Sequence, residues 1–471
     1  MSRILFSLAT LLVAVLASPV LAETTVPSVI GSNMVLQREK PVPVWGWDEA
    51  GQEVSVTFNG QTAVTKADSN GRWQVNLKAM KAGGPFEMKI EGSSKVKLSN
   101  ILIGEVWLCS GQSNMEWTVQ RSSNSAQEIK AGNYPKIRHI KIPHRPSDKP
   151  ESNVPSDGWK VCSEKTVANF TAVGYFFGRH LHKELGVPIG LIGSNWGGTR
   201  IEPWTPPEGF KKVPALKESH ADKLDSFPAK NGNRINHQSP LALYNGMIHP
   251  LLPYSIRGAI WYQGESNNGE GMLYFEKMKA LIHGWRAVWK NPNLPFYFVQ
   301  LAPFKYGNAA ALPFIWEAQA KTLSVPHTGM AVTTDISTVR NIHPPNKQDV
   351  GVRLALWALA KDYGKKGVVY SGPVYRSMKT AGNEITLTFD QVGAGLTTRD
   401  GKMPSHFTIA GANQEFVAAT ATIKGNTVVV SAETISKPVA VRYGWDQVAE
   451  PNLGNQSGLP ASPFRTDNWE K

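Results

Sequence analysis

Cysteine and long apolar runs are scarce in this 471-residue sequence, and their scarcity excludes several classes of protein. Its two cysteines, Cys109 and Cys162, are too few for a disulfide scaffold. Neither has a second cysteine or a histidine at the spacing of a zinc site. After residue 22 no segment is apolar enough to cross a bilayer. We therefore expect no metal site and no membrane span in the mature chain.

The two cysteines allow two interpretations. A single disulfide, Cys109–Cys162, suits an even count in an oxidising compartment. Alternatively, both are buried thiols, because Cys109 ends the apolar run VWLC and free cysteine is among the most buried residue types. Both interpretations stay open, because a sequence does not give the Cα separation that a disulfide requires.

Blocks of like charge are also missing. Lys and Arg exceed Asp and Glu by 50 to 37, a net charge of +13, but the two signs are interspersed. This excludes a nucleic-acid role, which would need clustered positive charge, and indicates at most attraction of an anionic substrate. With 41% hydrophobic residues the chain predicts a globular protein of two or three domains. Its oligomeric state stays unspecified.

Residues 1–22, MSRILFSLATLLVAVLASPVLA, have the organisation of a secretory signal peptide. Arg3 supplies the positive charge, an apolar stretch follows, and Val20 and Ala22 occupy the small-residue positions before a cleavage site. The apolar stretch is short for a bilayer span and has no charged stop after it. We therefore expect export to the periplasm or the extracellular space.

The pattern of apolar residues changes twice after the signal peptide, which predicts three regions. Residues 23–100 contain short alternating segments between turn signals, typical of a β domain. In residues 101–367, apolar runs of strand length alternate with helix-period segments, typical of a parallel sheet covered by helices. Residues 368–471 return to strand-like alternation, as a second β region or the other half of the first. The predicted central strands are 101–108, 188–193, 256–262, 296–301 and 329–334, and the predicted helices are 169–185, 272–289 and 347–363.

The segment GEVWLCSGQSNMEW (104–117) places a serine, Ser113, where a strand turns into a helix. Open α/β sheets bind their ligands at the carboxyl ends of parallel strands. The start of a helix also offers free backbone N–H groups to an oxyanion. Ser113 is therefore a candidate nucleophile, although a serine before a helix is also a common N-cap.

A histidine, His343, lies in the segment NIHPPNK (341–347) after the fifth predicted strand. Its loop leaves the same edge of the predicted sheet as the loop of Ser113. We expect its imidazole, fixed by Pro344 and Pro345, to accept the proton of the serine hydroxyl. A lone loop histidine is usually a surface residue, so the hypothesis depends on the pairing with Ser113.

Two further strand-end segments, SNWGGTRIEPW (194–204) and IWYQGESN (260–267), carry groups that can hold an oxyanion. Gly197 and Gly198 permit close backbone approach, so that an N–H there can donate to a tetrahedral intermediate. The side-chain amide of Gln263 can donate to the same oxygen. Tight-turn geometry for the glycines and an ordinary loop hydrogen bond for Gln263 are the alternatives.

With these motifs the chain resembles the sialate O-acetylesterase family and the related acetylxylan-esterase-like proteins, which are SGNH hydrolases. The specific evidence is GQSNM (111–115) together with IHPPNK (342–347), and the resemblance extends from MVLQ (34–37) to GLPASPFRTD (458–467). It implies an α/β fold with a flavodoxin-like SGNH hydrolase core, a three-layer α/β/α arrangement around a parallel sheet. Accessory β-sandwich-like regions flank this core at the N- and C-termini.

The resemblance also implies an activity, the removal of acetyl groups from sugar hydroxyls without a cofactor. Carried over to this sequence, it makes Ser113 the nucleophile and His343 the base. The Ser113 N–H, Gly197 or Gly198, and Gln263 form the implied oxyanion hole. The implied partner is an acetylated glycan.

Substrate contacts are predicted from residues within or beside the same motifs. Trp117, Trp196, Trp204 and Trp261 can form a stacking wall for a sugar ring, or can pack in the core. Arg200 can bind the carboxylate of a sialic acid, or can pair with Glu202.

One position departs from the family pattern. SGNH hydrolases commonly carry the triad acid three residues before the histidine, and Arg340 and Asn341 occupy that position and the next. Either a Ser-His dyad operates, with a backbone carbonyl or Asn341 orienting the imidazole, or an acid arrives from elsewhere, for which Asp335 is the nearest candidate. A third alternative is weakened or lost activity, because removal of the acid from a well-formed triad costs about four orders of magnitude in rate.

Other functions stay open at this point. A non-catalytic carbohydrate-binding protein with a degraded hydrolase core would account for Arg340 and Asn341. A glycosidase would need two facing carboxylates, for which Glu116, Glu202 and Glu265 are the candidates. For an esterase, O-acetylated sialic acid competes with acetylated xylan or xyloglucan, and the basic charge slightly favours sialate.

Overall fold

The computed structural model describes residues 23–469. The predicted signal peptide, residues 1–22, lies outside the described residues. Across residues 23–469, no helix combines the length and the apolar character needed to cross a membrane.

The N-terminal region is a set of short strands separated by turns. Its exposed strands alternate buried and solvent-facing side chains, as in Arg72–Leu77, where Trp73, Val75 and Leu77 are buried. This is the period-two pattern from which the β region was predicted. The strands are β1 (Val35–Gln37), β2 (Val42–Trp47), β3 (Glu53–Phe58), β4 (Gln61–Lys66), β5 (Arg72–Leu77), β6 (Gly83–Glu91) and β7 (Lys95–Gly111).

Strand β7 belongs to two structures at once. Its first half pairs antiparallel with β6 and its middle pairs parallel with β1. Its second half lies in the central sheet of the molecule. The predicted domain boundary between residues 100 and 101 therefore falls inside one continuous strand.

The central sheet is mainly parallel and has β7 near its middle. The remaining strands of this region are β8 (Ile137–Lys141), β9 (Lys160–Val161), β10 (Ile189–Asn195), β11 (Lys230–Asn231), β12 (Arg234–Ile235), β13 (Gly258–Tyr262), β14 (Phe296–Val299) and β15 (Thr328–Ala331). The order is β15-β14-β13-β7-β10-β8, all neighbours parallel, with β9 antiparallel at the edge. Each predicted central strand is present, and β8 was not predicted.

Within residues 23–469, seven α-helices connect and cover these strands. They are α1 (Ser113–Glu116), α2 (Ser125–Lys130), α3 (Ala172–Leu185), α4 (Pro207–Lys212), α5 (Leu273–Val288), α6 (Ala311–Lys321) and α7 (Lys347–Lys361). The predicted helices correspond to α3, α5 and α7, whereas α6 was not predicted. In α3 the Thr171 side chain caps the first turn, and Gly186 ends the helix with φ +68°. Trp107 on β7 packs against Phe177 of α3, and Trp261 on β13 packs against Trp285 of α5.

The C-terminal region has its own hydrophobic core. Its strands are β16 (Val374–Ala381), β17 (Glu384–Asp390), β18 (Leu396–Thr398), β19 (Phe407–Ala410), β20 (Phe416–Ala418), β21 (Thr420–Lys424), β22 (Thr427–Ser431), β23 (Ala440–Tyr443), β24 (Leu453–Asn455) and β25 (Phe464–Arg465). Within residues 23–469 they pair only with one another, so the two β regions do not share a sheet. A bidentate pair between Arg465 and Glu317 of α6, both bonds 3.0 Å, fastens this region to the core. The whole is a mixed α/β molecule with β-rich regions at both ends.

Of the two interpretations left open by the sequence, the structure has the buried thiols, because Cys109 and Cys162 are both buried and free. The Cys162 thiol lies 3.3 Å from the Gly132 carbonyl oxygen. Burial raises the pKa of Cys162 to about 11 and also raises the pKa of Cys109, so both stay protonated thiols at neutral pH.

Candidate active site

Four loops with polar side chains leave the same edge of the central sheet. Ser113 follows β7, the Gly197–Gly198 pair follows β10, Gln263 follows β13 and His343 lies between β15 and α7. Because these strands are parallel, their carboxyl ends meet at one edge. These groups therefore lie on one side of the molecule.

The hydroxyl of Ser113 and the imidazole of His343 form a hydrogen bond. Oγ and Nε2 are 2.7 Å apart, although the residues are 230 positions apart in sequence. The chain reaches this geometry through Gly111, whose φ of +135° directs β7 into α1. A Cβ at this position would lie 2.2 Å from the Tyr262 carbonyl oxygen, so the turn requires glycine.

The His343 ring lies against an aromatic surface and near two cations. Its ring is stacked on Trp117, with centroids 4.9 Å apart and planes 20° apart. Burial, followed by the positive charges of Lys347 and Arg121, lowers the pKa of His343 below its ordinary value. At neutral pH the imidazole is therefore unprotonated, the state that can accept a proton from serine.

The hydrogen bond of the His343 ring is the one to Ser113. Among residues 23–469, no Asp or Glu hydrogen-bonds the His343 imidazole. The side chain of Asn341 accepts a hydrogen bond from the His343 backbone N–H at 3.0 Å and so shapes the loop rather than the ring. Asn341, one of the two groups predicted to orient the imidazole of a dyad, therefore contacts only the backbone of His343.

Asp335 is committed to another partner. Its two oxygens accept hydrogen bonds from Arg353 of α7 at 2.7 and 2.6 Å. Arg353 also donates to the Val332 carbonyl, which ties the loop after β15 to the helix that packs beside it. The structure therefore does not support Asp335 as the acid behind His343, because the nearby guanidinium satisfies both carboxylate oxygens.

Of the three backbone N–H groups predicted for the oxyanion hole, those of Ser113 and Gly198 make no hydrogen bond within residues 23–469. The N–H of Gly197 is occupied, because it donates to Glu116 Oε2 at 2.7 Å. Gly197 nevertheless lies directly against Ser113, since a Cβ on it would be 3.2 Å from the Ser113 Cβ. The free donors are thus the Ser113 and Gly198 amides.

Glu116 is held as an anion by a cluster of basic groups. Its Oε1 contacts His144 Nε2 at 2.7 Å and Lys141 Nζ at 3.0 Å. Burial acts to raise the pKa of Glu116, but the hydrogen bond from His144 and the charge of Lys141 outweigh it and lower the pKa to about 2. Glu116 therefore anchors the loop of Gly197 beside the serine.

Gln263 does not point its amide at the site. Its Nε2 donates to the Thr199 carbonyl at 3.2 Å and to Asn267 Oδ1 at 2.7 Å, and its Oε1 accepts from the Tyr274 hydroxyl at 2.9 Å. Both amide hydrogens are therefore used in a buried position. The prediction that Gln263 donates to the oxyanion is wrong for this structure, and the alternative of an ordinary loop hydrogen bond holds.

The predicted tryptophan wall is only partly at the site. Trp204 and Trp261 are fully buried among core aromatics and cannot reach a sugar, so this prediction is wrong for both. Trp196 stacks with the imidazoles of His144 and His237, with centroids 4.3 and 4.7 Å away. Trp117 lies at the site, but its ring contacts His343 and the Arg121 guanidinium, 3.7 Å from the ring centroid.

The Arg200 side chain is 39% exposed and already has acidic partners. It pairs with Glu202 at 3.0 Å and with Glu270. Lys277 bonds the same two carboxylates, each at 2.7 Å. The alternative that Arg200 pairs with Glu202 is confirmed, and Glu202 is a structural anion rather than one of two facing glycosidase acids.

A buried polar network behind the serine was not predicted. Lys347 Nζ donates to Asn114 Oδ1 at 2.5 Å, and Asn114 Nδ2 donates to Glu265 Oε1 at 2.5 Å and to the Ile342 carbonyl at 3.0 Å. Burial lowers the pKa of Lys347 to about 7 and raises the pKa of Glu265. One signal was available in the sequence: Lys347 begins α7, where the helix dipole disfavours a positive charge.

Metal ligands are not gathered at this site. Within the described part of the chain, no group of three or more His, Cys, Asp or Glu side chains is arranged to hold an ion.

Comparison with known proteins identifies relatives over most of the chain. A family sequence model described as "Carbohydrate esterase, sialic acid-specific acetylesterase" matches residues 103–359. The chain is 34% identical over 427 residues to the sialate O-acetylesterase of Rattus norvegicus, covering 77% of this chain and 78% of the relative. It is 31% identical over 490 residues to that of Homo sapiens, covering 93% and 91%.

Among solved structures, a carbohydrate acetylesterase from Xanthomonas citri is 40% identical and has a TM-score of 0.87, covering 95% of this chain and all of that one. The region matched by the family sequence model includes Ser113 and His343 and the strands that position them. The family resemblance predicted from the GQSNM and IHPPNK motifs is thereby confirmed. This chain belongs to the sialic acid-specific acetylesterase family of carbohydrate esterases.

Proposed function

We propose that this protein removes acetyl groups from sugar hydroxyls by a Ser113–His343 dyad through an acetyl-enzyme. The observation that carries the proposal is the 2.7 Å hydrogen bond between Ser113 Oγ and His343 Nε2. A serine attacks an ester when an adjacent base removes its proton, and this is the contact that such a transfer requires.

In the first half-reaction Ser113 Oγ attacks the acetyl carbonyl carbon while His343 Nε2 takes the hydroxyl proton. The carbonyl oxygen becomes an oxyanion, and the free N–H groups of Ser113 and Gly198 are the donors proposed for it. His343 then gives its proton to the departing sugar oxygen. In the second half-reaction His343 activates a water, which releases acetate and restores Ser113. No step draws on Gln263 or Asp335.

The imidazolium that forms during these steps needs support in the absence of a carboxylate. Trp117 stacks on the ring and presents its negative π face to the developing charge. The nearby cations Lys347 and Arg121 act in the opposite direction and keep the resting imidazole neutral. A dyad with a weakly basic histidine is therefore the proposed catalytic unit.

We also propose the finer features that the family resemblance implies. Trp107 on β7 and Trp261 on β13 lie on neighbouring strands. Trp261 pairs with Ser110 of β7, so the side chains of these two residues are on the same face of the sheet. Because Trp107 is three residues before Ser110 and side chains alternate along a strand, the two indoles are on opposite faces, one against α3 and the other against α5. This supports a flavodoxin-like three-layer α/β/α core. Sandwich-like β regions are proposed on either side of it, the first joined to the core within β7 and the second beginning at residue 368.

Export through residues 1–22 remains a proposal that rests on the charged, apolar and small-residue parts of that segment. Expression of the full chain in a bacterium, with N-terminal sequencing of protein recovered outside the cytoplasm, tests it. A mature chain that begins at Glu23 is the expected result. Protein retained in the cytoplasm with Met1 intact would contradict it.

The esterase proposal is tested with Ser113→Ala. We expect hydrolysis of p-nitrophenyl acetate to fall by at least about 10³-fold, since the nucleophile is lost, with an unchanged thermal midpoint. The matched control is Ser123→Ala, a half-buried serine whose hydroxyl makes no hydrogen bond within residues 23–469. Turnover retained by Ser113→Ala would overturn the nucleophile assignment. Wild-type protein that binds acetylated sugars without hydrolysing them would establish the non-catalytic alternative.

A substrate panel separates the two glycan classes. Acetate release from O-acetylated sialic acid is compared with release from acetylated xylan and xyloglucan oligosaccharides. The net charge of +13 favours the anionic sugar by steering. A preference that weakens with added salt would support this attraction, and a salt-independent preference for the neutral oligosaccharides would contradict it.

A further inference from the structure

The Asn114 side chain links the two segments that carry the proposed dyad. Asn114 follows the nucleophile directly, and its Nδ2 donates to the carbonyl of Ile342, which directly precedes His343. One amide thus ties the start of α1 to the histidine loop across a sequence separation of 228 positions. The orientation of this amide controls how the two loops meet.

We propose that Asn114 is a positioning residue that holds Ser113 and His343 in bonding distance, and that Glu265 and Lys347 fix the orientation of its amide. The proposal rests on the dyad proposed above. In this proposal a buried hydrogen-bonding network orients the dyad, as a carboxylate does in the triad of other serine hydrolases.

The three partners of Asn114 allow only one orientation of its amide. Nδ2 faces two oxygens, those of Ile342 and Glu265, while Oδ1 faces the ammonium of Lys347. A rotation of the amide by half a turn would place Oδ1 against the two oxygens and Nδ2 against the ammonium. Three attractive contacts would become three repulsive ones, so the amide is locked.

Lys347 is placed to make this contact. Its residue is fully buried, and its Nζ lies 5.3 Å above the Tyr262 ring and 5.7 Å above the Trp117 ring. A buried ammonium is costly unless it is bonded and compensated, and here the amide oxygen and two aromatic faces supply that. Burial lowers the pKa of Lys347 to about 7, and Nζ can donate to Asn114 Oδ1 both as the ammonium and as the neutral amine.

Glu265 completes the network from the loop after β13. Its Oε1 accepts the Asn114 bond, and its Oε2 is buried without a hydrogen-bond partner in the described part of the chain. Only the Oε1 acceptor is needed to orient the Asn114 amide. A glutamine at this position keeps that acceptor and removes the charge, so Glu265→Gln is the conservative variant.

The test compares Asn114→Asp, Lys347→Met and Glu265→Gln, with Asn169→Ala as an exposed asparagine control. Asn114→Asp keeps the volume but loses both donors, so kcat for p-nitrophenyl acetate should fall about 100-fold, the effect of a small misplacement of reacting groups. Lys347→Met should lower kcat at least tenfold and still fold, because methionine fills the space with apolar atoms. Glu265→Gln and Asn169→Ala should stay within about threefold of wild type.

Two further readouts separate positioning from a general structural role. KM should change by less than about threefold in Asn114→Asp and Lys347→Met, because neither side chain is proposed to contact substrate. The rate at which a fluorophosphonate probe labels Ser113 should fall in parallel with kcat, measured on the fraction that circular dichroism shows to be folded. If Asn114→Asp does not fold, Lys347→Met tests the positioning role by itself.

Specific results would overturn the proposal. Folded Asn114→Asp and Lys347→Met proteins with kcat within about threefold of wild type would show that the network does not position the dyad. A Glu265→Gln variant as slow as Asn114→Asp would show that charge, and not the amide hydrogen bond, is what matters. If wild-type protein itself does not hydrolyse the ester, both proposals fall, whereas an active wild type with unaffected variants overturns this one alone.

Discussion

The imidazole of His343 lies nearly parallel to the indole of Trp117, with ring centroids 4.9 Å apart. Ser113 is the first residue of α1, and Trp117 is the residue that caps the C-terminal end of this helix. The helix that carries the nucleophile thus also carries the surface on which the base rests. The stack fixes the plane of the imidazole where no carboxylate is present to do so.

Replacing Trp117 should therefore slow the reaction. Aromatic pairs contribute about 0.5–1.5 kcal/mol beyond their area, so Trp117→Leu should lower kcat by about 2- to 12-fold. Trp117→Phe retains a ring and should lose less. Steady-state kinetics with p-nitrophenyl acetate measure both variants. Equal rates for the leucine and phenylalanine variants would contradict a role for the stack.

The lowered pKa of His343 sets the acid limb of the pH profile. The imidazole must be neutral to accept the serine proton, and a pKa below its ordinary value of about 6.5 keeps it neutral in more acidic solution. We expect the acid limb of kcat/KM to lie below about pH 6.5. Arg121→Gln removes one of the two cations, so its limb should move to higher pH. Lys379→Gln, on an exposed strand, is the control and should leave the limb in place.

Asp335 should matter for stability and not for rate. Asp335→Asn breaks the bidentate pair and leaves Arg353 buried without its partner, at a cost on the order of 3 kcal/mol in the free energy of unfolding. The value of kcat/KM should stay within about threefold of wild type, whereas loss of a triad acid would cost about 10⁴-fold. Denaturant unfolding and ester hydrolysis on the same preparation distinguish the two. A loss near the larger figure in folded protein would restore Asp335 to the catalytic unit.

Gln263 should likewise act through the fold. Gln263→Leu removes the side-chain hydrogen bonds of Gln263 to Asn267, to Tyr274 and to the Thr199 carbonyl, at a cost of about 0.5–1.5 kcal/mol for each bond. We expect a lower thermal midpoint and a fall in kcat of less than about tenfold. Removal of an oxyanion donor costs about 10²–10³-fold, so a loss of that size with an unchanged midpoint would contradict this assignment.

The sequence was sufficient for those features that depend on strand direction. Continuous apolar runs alternating with helical segments predict parallel strands, and parallel strands bring Ser113 and His343 to one edge. The 2.7 Å contact is the outcome of that topology. The family motifs added the chemistry, because GQSNM and IHPPNK are specific only as a pair.

The predictions that were wrong concern the direction in which a side chain points and the groups that pack next to it. Trp261 and Gln263 stand in a motif of the active edge, yet Trp261 faces α5 and the amide of Gln263 is used within the fold. Asp335 was chosen for its position in the sequence, but α7 returns along β15 and presents Arg353 to it. Such contacts are set by packing between segments far apart in sequence, which periodicity does not encode.

The continuity of β7 has a consequence for how this protein can be dissected. The N-terminal β region and the catalytic serine are built on the same 17-residue segment, Lys95–Gly111. A truncation at residue 100 would cut the backbone of the strand that delivers Ser113 and would strip its outer half of the neighbours β1 and β6. The esterase cannot be shortened to its hydrolase core by removing an appendage, because the appendage and the nucleophile share one stretch of main chain.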